Sequence, residues 1–148
     1  MNTSWTIVPF EELSVRDLHA VLKLRVDVFV VEQTCPYAEV DGQDPQATHV
    51  LGKDDAGTLI AYARVLPPDA HGVPHIGRVV VHPDHRGHDL GRAVMRVCLE
   101  ELQRRNGSRR SAISAQAHLQ GLYASLGYLV TSEIYMWDGI PHVDMALT

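Results

Sequence analysis

A chain of 148 residues, 45% hydrophobic and 21% charged, can bury a sizeable core, so residues 1–148 are expected to form one domain. Its formal charge of −5 argues against broad nucleic-acid binding, which needs a basic face to release counterions from phosphate. Its most apolar run, "VDVFVV", is interrupted by Asp27 and falls short of the roughly eighteen residues of a membrane span. The start, "MNTSWTIVPFEEL", lacks the pattern of a secretory leader and points to the cytoplasm. Cys35 and Cys98 lie far apart, outside any CxxC or CxxH spacing, and read as reduced thiols.

"SWTIVPF" alternates like a first strand. Ser14, with Asp17 three residues on, caps a helix in which Val15, Leu18, Leu22, Val26 and Phe29 recur at helical spacing and which ends near Val31. Glu32 to Ala47 carries Pro36, Gly42 and Pro45 and reads as a long loop, with an aromatic and acidic content that favours function over disorder. "THVLGK" and "TLIAYARVLP" make two strands around a turn at Asp55, Ala56 and Gly57. "HIGRVVV" is a strand whose three closing valines predict burial on both faces. Leu90, Val94, Val97, Cys98 and Leu102 form the apolar stripe of a helix that stops at Gly107. "SAISAQA" is a further strand, "LQGLYASLG" a short helix ended by Gly127, and "YLVTSEIYMW" and "HVDMAL" a closing pair of strands. The order β, α, β, β, β, α, β, α, β, β predicts an α/β (α+β) fold, a mixed sheet flanked by helices.

Where the buried strand feeds the long helix through "VHPDHRGHDLGR", backbone N–H groups are left without partners at a helix N-terminus, where the dipole favours anions. Such a turn cradles phosphate. It lacks the GK[ST] ending of a nucleoside-triphosphate loop and does not spell GxGxxG after an N-terminal strand. Arg86, Arg92, Arg96, Arg104, Arg105, Arg109 and Arg110 crowd the same region, as a solvated helix face or as a local site for a small polyanion.

"RVVVHPDHRGHDLGRAVM" resembles the coenzyme A signature of the GCN5-related N-acetyltransferases (GNAT), a buried strand and short turn followed by RGxGxG or RGxGxA. Arg86, Gly87 and Gly91 match. The resemblance implies a mostly antiparallel central sheet flanked by helices and acetyl-CoA as co-substrate. Its pyrophosphate would lie on the backbone amides of Gly87, His88, Asp89, Leu90, Gly91 and Arg92, and its pantetheine arm along Val79, Val80 and Val81. Gln116, at the end of the next strand, joins the implied coenzyme contacts. Asp89 replaces the middle glycine. Asp tolerates a left-handed backbone, but its charge at about 6 Å from a phosphate would cost roughly 3 kcal/mol at an effective dielectric near 20. Its carboxylate is therefore expected to face solvent or to pair with Arg86 or Arg92.

Downstream, "AQAHLQGLYASLGY" fits the family's YxxxGF-like segment. By that resemblance Tyr123 stands near the coenzyme sulfur and protonates the departing thiolate; by spacing alone, beside Leu119, Leu122 and Leu126, it reads as core. "RVDVFVVEQTCPYAEVDGQDPQATHV" and "YMWDGIPHVDM" resemble the ElaA-type branch of the superfamily, so the likeness covers nearly the whole chain.

An alkyl amine reaches the site as an ammonium near pH 7 and must lose a proton to attack. Glu32, His75, Glu133 and His142 are the candidate acceptors of that proton, with Glu133 and His142 preferred because the closing strands are expected to bring them near Tyr123. Glu39, Asp41 and Asp44 either recognise a cationic substrate or pair with Arg25 and Arg64; "ARVLP" and the loop acids are similar to acyl-homoserine lactone synthases, where such residues form a charged network. Phe29, Glu32, Glu39, Asp41, Asp44, Arg64 and His75 are thus the substrate-side candidates. His82, His85 and His88 recur every three residues, but no Cys or carboxylate completes a coordination shell, and no metal is expected. The expected activity is direct transfer of acetyl from acetyl-CoA to a primary amine of a small, cationic acceptor. A non-catalytic CoA-binding module and a lactone synthase-like acyltransferase are the alternatives. A homodimer is the commonest assembly for such a chain.

Overall fold

The computed structural model describes residues 2–148. Its strands are β1 (Ser4–Pro9), β2 (Thr48–Lys53), β3 (Leu59–Leu66), β4 (His75–Val81), β5 (Ser111–Gln116), β6 (Leu129–Val130), β7 (Tyr135–Trp137) and β8 (Ile140–Leu147). Its helices are α1 (Val15–Arg25), α2 (Leu90–Asn106) and α3 (Gln120–Ala124). The strands form one sheet in the order β1-β2-β3-β4-β5-β8-β6, with β7 also paired to β8. Every pairing is antiparallel except β4 with β5, which is parallel and registered at His75↔Ala112 alone. Beyond that pair the two strands part, and the sheet opens into a gap toward their C-terminal ends.

Local chemistry explains the elements that frame this gap. Ser14 Oγ accepts the Asp17 N–H at 3.0 Å and starts α1, while the Asp17 carboxylate turns instead to Lys53 at 2.8 Å. The buried face of α1 is Val21, Leu24 and Arg25, continuing to Val28, not the stripe through Val15, which is 87% exposed. From Val26 to Glu32 the helix widens into π turns, a feature that recurs at functional sites. Gly107, at φ 70°, closes α2 as its sequence predicts.

Two apolar layers pack on opposite faces. On one, Val94, Met95, Cys98 and Leu102 of α2 meet Ile76, Ile113, Ala115, Val143 and Met145. On the other, α1 covers only β2 to β4, through Leu51, Tyr62 and Val80. Beyond the gap, this second face of β5 and β8 carries Ser114, Gln116, His142 and Asp144, none of them fully buried. No helix among the described residues is long and apolar enough to cross a membrane.

Two further expectations change, and β4 adds a bulge. Of the closing valines in β4, only Val80 is fully buried; Val79 and Val81 are half-buried because the neighbouring strand has diverged. "YLVTSEIYMW" is two short strands, β6 and β7, with Glu133 in the exposed segment between them. Register on β4 slips between Arg64↔Gly77 and Tyr62↔Val80, so Arg78 bulges with φ 53°.

Candidate active site

The strand-to-helix turn is built from main chain. Leu90, 6% exposed, pins the first turn of α2 into the core, while Gly87 to Asp89 stand exposed. Gly87 has φ 87° and Asp89 φ 60°, so two left-handed residues reverse the chain immediately before the helix; an L side chain at Gly87 would be strained. The backbone N–H groups of Gly87, His88, Asp89, Leu90, Gly91 and Arg92 have no acceptor among the described residues. Six consecutive donors at a helix N-terminus form a cup for an anion. The Asp89 carboxylate turns out of it, to Arg92 Nη1 at 2.6 Å, which is one of the pairings its charge demanded. Arg86 makes a bidentate pair with Glu32 at 2.6 and 2.7 Å; this bridge ties the π turns to the cup, and Arg86 holds the Glu32 carboxyl below its ordinary range.

Tyr123 stands beside this turn. Leu122 Cδ1 lies 3.8 Å from where a Cβ on Gly91 would be, and Arg92 Nε donates to Ser125 Oγ at 3.2 Å, so α3 is fastened to the start of α2. The Tyr123 ring is 6% exposed and meets Tyr128 edge-on at 6.3 Å. Tyr128 in turn bonds Ser111 Oγ at 2.6 Å. The Tyr123 hydroxyl has no partner among the described residues, yet it is not sealed from solvent. Burial pushes its pKa up to about 12, so at neutral pH it holds a proton it can give.

On the other side of the gap, His142 pairs across strands with Gln116. Its Nδ1 lies 2.8 Å from the Ile140 carbonyl; a carbonyl only accepts, so Nδ1 carries hydrogen and the neutral ring has its lone pair on Nε2. Tyr135 stacks on that ring at 6.1 Å and Trp137 tilts against it at 5.3 Å. Gln116 Nε2 reaches Gln33 Oε1 at 3.2 Å, joining β5 to the end of the π turns. Glu133 is exposed, its carbonyl accepting from Ser132. His75 lies at the closed end of the gap, its Nε2 on Asp69 at 2.8 Å. Phe29 packs at the edge of the α1 layer.

The loop acids face arginines. Arg25, fully buried, donates to Glu39 Oε2 at 2.6 Å and to Asp44 Oδ1 at 2.7 Å. Arg64 binds Asp41 at 2.6 and 2.9 Å and Asp44 at 3.0 Å. Arg78, from the bulge, adds Glu39 at 2.7 Å and Asp41 at 3.3 Å, with its guanidinium 5.7 Å from the Tyr37 ring. Three cations and three anions thereby balance, and Arg64 holds the Asp41 carboxyl well below the usual carboxylate range. Sequence reasoning foresaw Arg25 and Arg64 here; Arg78 escaped it, since nothing in "HIGRVVV" signals a bulge. His82 caps the turn after β4 by accepting the Asp84 N–H at 3.1 Å, and His85 lies edge-on to it.

Known proteins share this fold. A family model described as an acetyltransferase (GNAT) domain matches residues 21–148. The ElaA protein of Escherichia coli is 44% identical over 146 residues, covering 96% of this chain and 94% of its own. Its crystal structure superposes with a TM-score of 0.91 at 40% identity, over 98% and 99% of the two chains. An acyl-CoA N-acyltransferase from Pseudomonas aeruginosa superposes with a TM-score of 0.93, 40% identity and 99% and 100% coverage. A UPF0039 protein of Schizosaccharomyces pombe is 43% identical over 147 residues, 99% of this chain and 97% of its own. Relatives that match from end to end, on the same open sheet, place the chain in the GNAT acetyltransferase family, beside ElaA.

Proposed function

We propose that the protein moves an acetyl group from acetyl-CoA to a primary amine by direct attack, in the gap between β4 and β5. The observation that carries this reading is the run of six unpartnered amides from Gly87 to Arg92, which fits a diphosphate and adjoins a buried tyrosine. Val79 to Val81 border the gap without strand partners on the β5 side, as a pantetheine arm requires. The similarity to an acyl-CoA N-acyltransferase supports the donor class.

In this mechanism His142 Nε2 takes the proton of the acceptor ammonium, its tautomer fixed by the Ile140 carbonyl. The amine lone pair then forms the C–N bond, the C–S bond breaks as Tyr123 gives its proton to the leaving sulfur, and the nitrogen, acidic once acylated, sheds its remaining extra proton through water, which restores the Tyr123 hydroxyl and leaves a neutral amide. Of the two preferred bases, His142 has the free nitrogen beside Gln116 at the open end of β5, whereas Glu133 stands out in solvent. Without a Cys/His pair poised as nucleophile, no covalent enzyme intermediate enters the scheme.

The test is thiol release from acetyl-CoA against a panel of primary amines. Turnover with at least one amine, lowered on the order of 10²-fold in His142→Gln, supports the reading. Tight coenzyme binding with no turnover on any amine would leave a CoA-binding module instead.

A further inference from the structure

Glu39, Asp41 and Asp44 are matched by Arg25, Arg64 and Arg78, so their charge is not free to recognise a cationic acceptor. The open face of the sheet holds one acid that is. Asp144 stands on β8, opposite Ser114, and its Oδ1 accepts from the Tyr135 hydroxyl and, at 3.2 Å, from Ser114 Oγ. Among the described residues no donor reaches its Oδ2 and no Lys, Arg or His lies within 4.0 Å of it. The two hydroxyls fix the carboxylate without neutralising it.

We propose that Asp144 anchors a second positive charge of the acceptor, so that the substrate is a short aliphatic diamine acetylated at one end. This rests on the acetyltransferase reading above. His142 and Asp144 are alternate residues of one strand and share a face, which puts them about 7 Å apart along it. Tyr135 spans the pair, its ring against His142 and its hydroxyl on Asp144. Trp137, 46% exposed, adds a second aromatic surface beside His142. Aromatic faces attract ammonium groups, and a carboxylate held by neutral donors keeps its full charge for a charge-assisted hydrogen bond. A molecule with one ammonium on Asp144 therefore presents its other nitrogen toward His142, while a monoamine has nothing to place on the acid.

The test compares 1,4-diaminobutane with n-butylamine as acceptors, using acetyl-CoA and thiol release. The native protein is expected to favour the diamine. Asp144→Asn keeps an oxygen for Ser114 and Tyr135 but removes the charge; it should raise the diamine KM about tenfold or more and leave the KM values for butylamine and acetyl-CoA unchanged. Equal changes for both amines, or none, overturn the proposal. Tyr135→Phe, which only loosens the carboxylate, should raise the diamine KM less than Asp144→Asn does; a larger rise counts against Asp144 as the anchor. Should neither amine turn over, the acetyltransferase reading still rests on the wider amine panel. Calorimetric binding of 1,4-diaminobutane to the CoA-saturated protein then decides Asp144 separately: binding that Asp144→Asn abolishes supports the anchor, and no binding or equal binding refutes it.

Discussion

The two sides of the β4–β5 gap handle charge by different means. On the α2 side the donors are main-chain amides from Gly87 to Arg92, positioned by backbone conformation and by Leu90 in the core. On the α1 side they are side chains: two buried arginines and a partly buried third against three carboxylates, drawn from one helix, one loop and two strands. A main-chain cup accepts side-chain changes as long as φ and ψ survive, which is why aspartate stands in a glycine position with its carboxylate directed to Arg92. A side-chain network has no such tolerance, because each member leaves its partner uncompensated when it is lost.

The sharpest way to expose that contrast is to remove Glu39. Glu39→Ala leaves Arg25 short of a counter-charge in the interior and takes one from the partly buried Arg78, a loss of about 3–5 kcal/mol. The melting temperature should fall by about 10 °C or more; a fall of only a degree or two by calorimetry would mean that the network contributes little. Next in size, Tyr123→Phe should lower turnover on the order of 10²-fold with nearly unchanged coenzyme affinity, since the cup is made without that side chain. A matching loss of affinity would place Tyr123 in binding instead.

Acid should act on the network before the cup. Arg64 lowers the Asp41 pKa, and for Asp44 the upward push of burial is outweighed by Arg25 and Arg64. Folded values below an unfolded value near 3.9 mean stability that is complete above about pH 4 and lost as pH falls through the folded values. Urea midpoints measured from pH 6 downward should therefore hold and then drop below about pH 4; a decline already under way near pH 6 would implicate other groups. The smallest effect is expected at the cup. Asp89→Gly keeps the left-handed turn and should bind acetyl-CoA at least as tightly, within about threefold; a clear loss by calorimetry would show that the side chain takes part.

Much of the main-chain cup and its supports was legible in the sequence because their signals are local. A β-branched strand, Gly87, Gly91, the apolar stripe of α2 and the stop at Gly107 each report on their own neighbourhood. The other side depends on long-range register. Sequence leaves open whether Glu39, Asp41 and Asp44 meet arginines or substrate, because that depends on the loop lying over β3 and β4, and Arg78 enters through a bulge that only pairing with β3 reveals. Asp144 could be singled out only once Ser114↔Asp144 and Tyr135↔His142 were known to share a face. "YLVTSEIYMW" is β-rich throughout and predicts an unbroken strand; the break at Glu133 follows from β6 and β7 pairing with separate stretches of β8.

The lone rung His75↔Ala112 makes the sheet two plates riveted at one corner. Amide protons along the facing edges of Val79–Val81 and Ser114–Gln116 lie in the middle of an eight-stranded sheet, where slow deuterium uptake is the rule, yet no ladder shields that seam. They should exchange quickly in the free protein, and whatever fills the seam will register as protection there.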